Sequence, residues 1–90
     1  MQKIMIVEDD PAIREELALL LENEGYSSFP VTDFNDIPAQ ALREHPDLIL
    51  LDITLPGKDG FSLCAALRKT VPSPVIFVTS RDRGRMRCGP

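Results

Sequence analysis

No apolar run in this 90-residue chain approaches the roughly 20 residues needed to cross a bilayer. Met1 leads into a short strand-like run instead of the apolar stretch of a signal peptide, so the expected location is cytoplasmic, with no membrane role. Cysteine is scarce: Cys64 and Cys88 are too few for a disulfide framework and lack the C-x-x-C spacing of a zinc or redox site. Each is expected to be a reduced thiol. Histidine occurs once, at His45, where it suits a helix end after Arg43 and Glu44 and is no catalytic candidate. Neither Gly-x-x-x-x-Gly-Lys nor Gly-x-Gly-x-x-Gly is present, which excludes a P-loop and weighs against dinucleotide binding. There is no internal repeat and no low-complexity segment. The length leaves room for one hydrophobic core and no second domain. A hydrophobic share of 43% with 27% charged residues excludes the disordered, collagenous and membrane classes.

Charge is unevenly placed. Residues 1–80 hold 13 acidic side chains against six Lys and Arg, whereas residues 81–90 hold four Arg against Asp82. An acidic body repels phosphates, so direct nucleic-acid binding by this chain is not expected. The Arg-rich segment 81–90 has only Met86 and Cys88 as apolar members and no period, and it reads as a disordered tail.

Within residues 1–80 the hydrophobic pattern alternates between short β-branched runs and helical stripes. Ile4–Val7 is a buried strand ending at Glu8-Asp9-Asp10. Asp10-Pro11 suits an N-cap and first helical position, Glu15 and Glu16 follow where the helix dipole favours acids, and Ile13, Leu17, Leu20 and Leu21 form one stripe that Gly25 ends. Residues 26–31 read as a weaker edge strand, where Pro30 is tolerated. Asp33 can cap a second helix with Phe34, Ile37, Ala41 and Leu42 on its buried stripe. Four aliphatics with an acid at each end, Asp47 to Asp52, mark a central strand covered on both faces. Residues 55–60 form a turn-rich loop, in which Lys58 is assigned no role. Leu63, Cys64, Leu67 and Val71 give a third helix, stopped by Pro72 and Pro74, and Val75–Val78 is a fourth strand. Strand and helix alternate with short connections, so the expected fold is α/β, a parallel sheet with helices on both faces.

In such a sheet, ligands bind beyond the carboxyl ends of the strands, near the point where strand order reverses. The first strand ends at Glu8 and Asp9, the third at Asp52, and the fourth at Thr79 and Ser80. Three convergent acids repel, and one pKa must rise unless a cation is present. A hard divalent cation removes the conflict, and Mg²⁺ suits two or three carboxylate oxygens with retained waters. A carboxylate beside Mg²⁺ can also act as a nucleophile towards a phosphoryl group.

These residues resemble a known family. Ile-Val-Glu-Asp-Asp after the first strand, Leu-Ile-Leu-Leu-Asp-Ile-Thr-Leu-Pro-Gly-Lys-Asp-Gly around the third, and Val-Ile-Phe-Val-Thr-Ser at the fourth look like the receiver domain of bacterial two-component response regulators. The wording is similar to the subgroup that carries a DNA-binding winged helix. The resemblance implies a flavodoxin-like fold with strand order 2-1-3-4. It implies Asp52 as phosphoacceptor from a histidine kinase, Glu8, Asp9, Asp52 and the Thr54 backbone carbonyl as Mg²⁺ ligands, and Thr79 as the switch hydroxyl. The function implied is signal transduction in a phosphorelay, upstream of a DNA-binding output domain absent here, and not metabolism of a substrate.

The departures are also legible. The family's domain continues through a helix, a fifth strand ending in a Lys beside Pro, and a last helix, and no Lys occurs here after Lys69. The expected organisation is therefore a C-terminally truncated receiver domain at residues 1–80 followed by the tail at 81–90. Without a fifth strand, Val75–Val78 presents an open apolar edge, which predicts a homo-oligomer through that edge. That edge also supplies the alternative function, an interaction module with weak or no phosphorylation. A haloacid-dehalogenase-like phosphatase also places an Asp nucleophile after a strand but wants a second acid two residues on, where this chain has Thr54. Asp10 is explained as a cap, Ser80 as a turn residue, and Cys64 as core.

Overall fold

The computed structural model describes residues 2–31, 34–52, 60–78 and 85–87. Their order is β1 (Lys3–Val7), α1 (Pro11–Asn23), β2 (Ser27–Pro30), α2 (Ile37–Glu44), β3 (Leu48–Asp52), α3 (Gly60–Thr70), β4 (Val75–Val78) and β5 (Arg85–Arg87). The sheet runs β2-β1-β3-β4-β5, with the first four strands parallel and β5 antiparallel to β4. The α/β architecture and the 2-1-3-4 order agree with the expectation.

Local chemistry explains most of the element ends. Asp10 caps α1, its Oδ1 accepting from the Ala12 amide at 2.9 Å, and Pro11 starts the helix where a missing N–H costs nothing. At the other end Gly25 takes φ +90°, and the Tyr26 amide donates to the Leu21 carbonyl at 2.9 Å, closing a Schellman turn. Glu15 and Glu16 lie beyond the first turn, which holds no acid, so the dipole contribution expected of them is not made. The cap of α2 is Asp36 and not Asp33, which lies outside the described residues. With Asp36 as cap, Pro38 falls in the first turn, where it is tolerated. His45 ends α2 as expected, through its backbone: it sits in the left-handed region at φ 52° and donates its amide to the Ala41 carbonyl. Pro30 lies on edge strand β2, where no ladder partner needs its absent N–H.

Side-chain alternation divides the layers. Met5 and Val7 of β1, Ile49 and Leu51 of β3, and Val75 and Phe77 of β4 form one buried cluster with Ile37 and Ala41 of α2 and Cys64 and Leu67 of α3. The opposite face carries Ile4, Leu48, Leu50 and Ile76, which with Leu17, Leu20 and Leu21 of α1 line a groove of about 350 Å³. That groove explains why α1 buries no residue fully and why Leu20 stays 62% exposed despite its place on the stripe. Leu42, expected on the buried stripe of α2, is 51% exposed, and Gln40 takes the inward place beside Ala41.

Two expectations about the chain's end are corrected. Arg85–Arg87 is a strand and not disordered tail, because the unpaired amides and carbonyls along β4 offer a ladder that three residues without apolar period can join. The same pairing covers the outer edge of β4 at Ile76–Val78, the edge that was expected to lie open. Cys64 is disulfide-bonded, not a reduced thiol, and no described cysteine is free.

Candidate functional site

β1 and β3 are parallel neighbours, so their carboxyl ends share one rim of the sheet. The register pairs Val7 with Leu51, and one step further it brings Glu8 level with Asp52. Four buried residues, Ile4 to Val7, precede Glu8, and three, Ile49 to Leu51, precede Asp52 after the half-buried Leu48, and this apolar support fixes where the rim lies. Glu8 and Asp52 are themselves buried, each 3% exposed, while Asp9 on the following loop is exposed. One carboxylate oxygen from each of Glu8, Asp9 and Asp52 lies within 4.8 Å of the others. This is the one such group of potential metal ligands among the described residues.

The electrostatics follow from that packing. Burial pushes the Glu8 carboxyl up to about 7, and the hydrogen bonds and charge of Asp52 and the hydrogen bond of Asp9 add to the rise. The Asp10 amide, which donates to Glu8 Oε1 at 3.1 Å, opposes it without cancelling it. Glu8 is thus held partly protonated near neutrality, as expected when a carboxyl is packed against other acids away from water. Hard oxygen donors at this spacing, with negative charge uncompensated, suit a small divalent cation.

Arg14 is a contributor that sequence reading missed. Its Nη1 donates to the Glu8 backbone carbonyl at 3.4 Å, tying the first turn of α1 to the acid loop. The signal available was only its place one turn into a helix that starts beside Glu8. Asp10, read as a cap, acts both as cap and, through its amide, on Glu8. Thr54, Thr79 and Ser80 lie outside the described residues.

The described site and sheet have counterparts in known proteins. A family model for the response regulator receiver domain matches residues 4–88. The chain belongs to that family. It is 46% identical over 82 residues to the transcriptional regulatory protein YxdJ of Bacillus subtilis (strain 168), covering 91% of this chain and 36% of that protein. It therefore spans about a third of the length of that curated relative. Among solved structures it resembles the BeF3-activated N-terminal receiver domain of Klebsiella pneumoniae RstA, with TM-score 0.79 and 40% identity, covering 90% of this chain and 69% of that one. It also resembles a chain in the complex of histidine kinase ThkA with response regulator protein TrrA, with TM-score 0.72 and 31% identity, covering 91% and 66%. Receiver domains are signalling domains and not metabolic enzymes. Among the described residues no helix is long and apolar enough to cross a membrane.

Proposed function

We propose that this chain is a cytoplasmic phosphoacceptor of a two-component system, taking a phosphoryl group from a histidine kinase onto Asp52. The observation that carries this reading is the convergence of Glu8, Asp9 and Asp52 on one rim of a parallel sheet, with carboxylate oxygens within 4.8 Å. In the transfer, a carboxylate oxygen of Asp52 attacks phosphorus while the bond from phosphorus to the kinase's histidine nitrogen breaks, its electron pair staying on that nitrogen; with the ring's other nitrogen protonated, the products are an acyl phosphate on Asp52 and a neutral imidazole. Glu8 and Asp9, with Asp52, are the residues that would hold Mg²⁺, and the Thr54 carbonyl completes the set implied by the resemblance. The cation would offset charge on the transferring oxygens. Beside such a cation Glu8 would be ionised, and Asp52, 3% exposed, is largely shielded from bulk water. Thr79 is proposed as the hydroxyl that bonds the phosphoryl group. Residues 1–80 form the receiver body in this reading, and the name of the Bacillus subtilis relative supports a role in transcription regulation.

Intact mass spectrometry after incubation with a small phosphodonor tests the proposal. A Mg²⁺-dependent phosphoryl adduct on the chain, lost in Asp52→Asn, is expected. No adduct on protein shown by circular dichroism to be folded, or an adduct that persists in Asp52→Asn, overturns it.

A further inference from the structure

The two faces of the sheet are unequally covered. α2 and α3 lie over the face that carries Met5, Ile49, Leu51 and Phe77, whereas α1 alone among the described helices lies on the other. There it packs on β1 and β2. A helix is about 10 Å wide and neighbouring strands lie about 4.8 Å apart, so one helix covers about two strands. Beside α1 this leaves a strip two strands wide, on which Leu48 and Leu50 of β3 and Ile76 and Val78 of β4 floor the groove of about 350 Å³. Three of these four are only half-buried, although a parallel sheet is ordinarily covered on both faces. The bank on the α1 side is formed by Leu20, which lines the groove yet is 62% exposed, and by Glu24, the one charged residue in the described lining. Glu16, one turn before Leu20, is also exposed. Residues four apart on a helix are neighbours on its surface, so Glu16, Leu20 and Glu24 make one row along the bank, with an acid at each end about 12 Å apart.

We propose that this groove docks one amphipathic helix of a partner protein, whose apolar stripe is flanked by Lys or Arg. The floor sets the shape of the occupant, since the strip is one helix wide and apolar throughout. The bank sets its charge. Apolar side chains at i, i+3 or i+4, and i+7 of the partner would meet the floor, and cations about two turns apart beside that stripe would meet Glu16 and Glu24. A second copy of this chain is the wrong occupant: face to face it would set Glu16 and Glu24 against the same acids, and residues 1–80 hold 13 acidic side chains against six Lys and Arg. The same balance opposes nucleic acid and anionic lipid surfaces. None of Glu8, Asp9 and Asp52 lines the groove, so the inference stands apart from the phosphoacceptor reading.

The test titrates the full chain into a fluorescein-labelled helical peptide of about 18 residues built from Leu, Ala and Lys, with Leu along one face and Lys beside it, and reads fluorescence anisotropy. A twin peptide with Glu in place of every Lys is the charge control. Saturable binding of one Lys peptide per chain is expected, at least about tenfold tighter than binding of the Glu twin. Leu20→Ser should weaken it by about tenfold, whereas Leu19→Ser, equally exposed but outside the groove, should leave it unchanged. The double variant Glu16→Gln with Glu24→Gln should weaken it by about threefold and flatten its salt dependence. All these side chains are exposed, and urea melts verify that the variants fold. No saturable binding, equal binding of the Glu twin, or equal losses in Leu19→Ser and Leu20→Ser overturns the proposal. Sedimentation equilibrium of the chain alone adds one more outcome: a dimer that Leu20→Ser dissociates gives the groove to a second copy and overturns it as well.

Discussion

Glu8 is the residue at which burial and chemistry conflict most directly. The carboxyl is held in its protonated form up to about pH 7 in the fold, against 4.5 as the ordinary value. Between those values the folded chain binds more proton than the unfolded chain, so stability falls as pH rises through this window. It is fully present below pH 4.5 and lost above pH 7, by on the order of 3 kcal/mol. In chelator, urea midpoints should therefore be higher at pH 5 than at pH 8 for the wild type, and the gap should shrink in Glu8→Gln. A gap of the same size in the variant would assign the pH dependence elsewhere. Mg²⁺ added at pH 8 should raise the wild-type midpoint and leave Glu8→Gln less affected, because the cation stabilises the ionised cluster that the variant weakens.

Asp10 and Gly25 show how much of an element's existence rests on its ends. Asp10 Oδ1 satisfies one of the four free amides at the start of α1, so Asp10→Ala should destabilise by about 1 kcal/mol. Gly25→Ala should cost about 1 kcal/mol through backbone strain alone, since a Cβ there meets nothing within 4 Å. Both effects are readable in urea melts, and neither should abolish the phosphoryl adduct proposed at Asp52. A loss of several kcal/mol in either variant would mean that α1 carries more of the fold than its exposed stripe indicates. Both ends of α1 were legible in the sequence because Asp-Pro and Gly act on their own neighbours. The start of α2 was not: Asp33 and Asp36 are equally good caps by type, and only the packing of Ile37 against the sheet chooses the later one. The inward place of Gln40 and the outward place of Leu42 likewise follow from which side of α2 the cluster around Ile37 and Ala41 covers, which no residue type states.

For the whole molecule, the asymmetry between the two faces of the sheet governs stability. Leu51 is fully buried between β1, β4 and the α2 and α3 layer, whereas Leu19 on α1 is 62% exposed. Leu51→Ala should cost about 2–5 kcal/mol, a large share of what a domain of this size has, while Leu19→Ala should fall within about 0.5 kcal/mol of the wild type. Similar losses at both positions, measured by urea denaturation, would mean that the α1 face is as well packed as the other.

Strand and helix order through β4, the parallel topology and the identity of the acids at the rim were all legible from the residues. Those features depend on apolar period, caps and chain connectivity, all of which are local. Glu8, Asp9 and Asp52 could be named in advance because a strand that ends in an acid places it at the sheet's carboxyl edge whatever else packs nearby. Long-range packing set the rest: that Glu8 and Asp52 are buried side by side, that Arg14 ties α1 to the acid loop, and that Arg85–Arg87 becomes a strand. A pKa shift depends on desolvation by residues distant in sequence, and a three-residue strand without period takes its conformation from the free edge of β4, not from its own side chains.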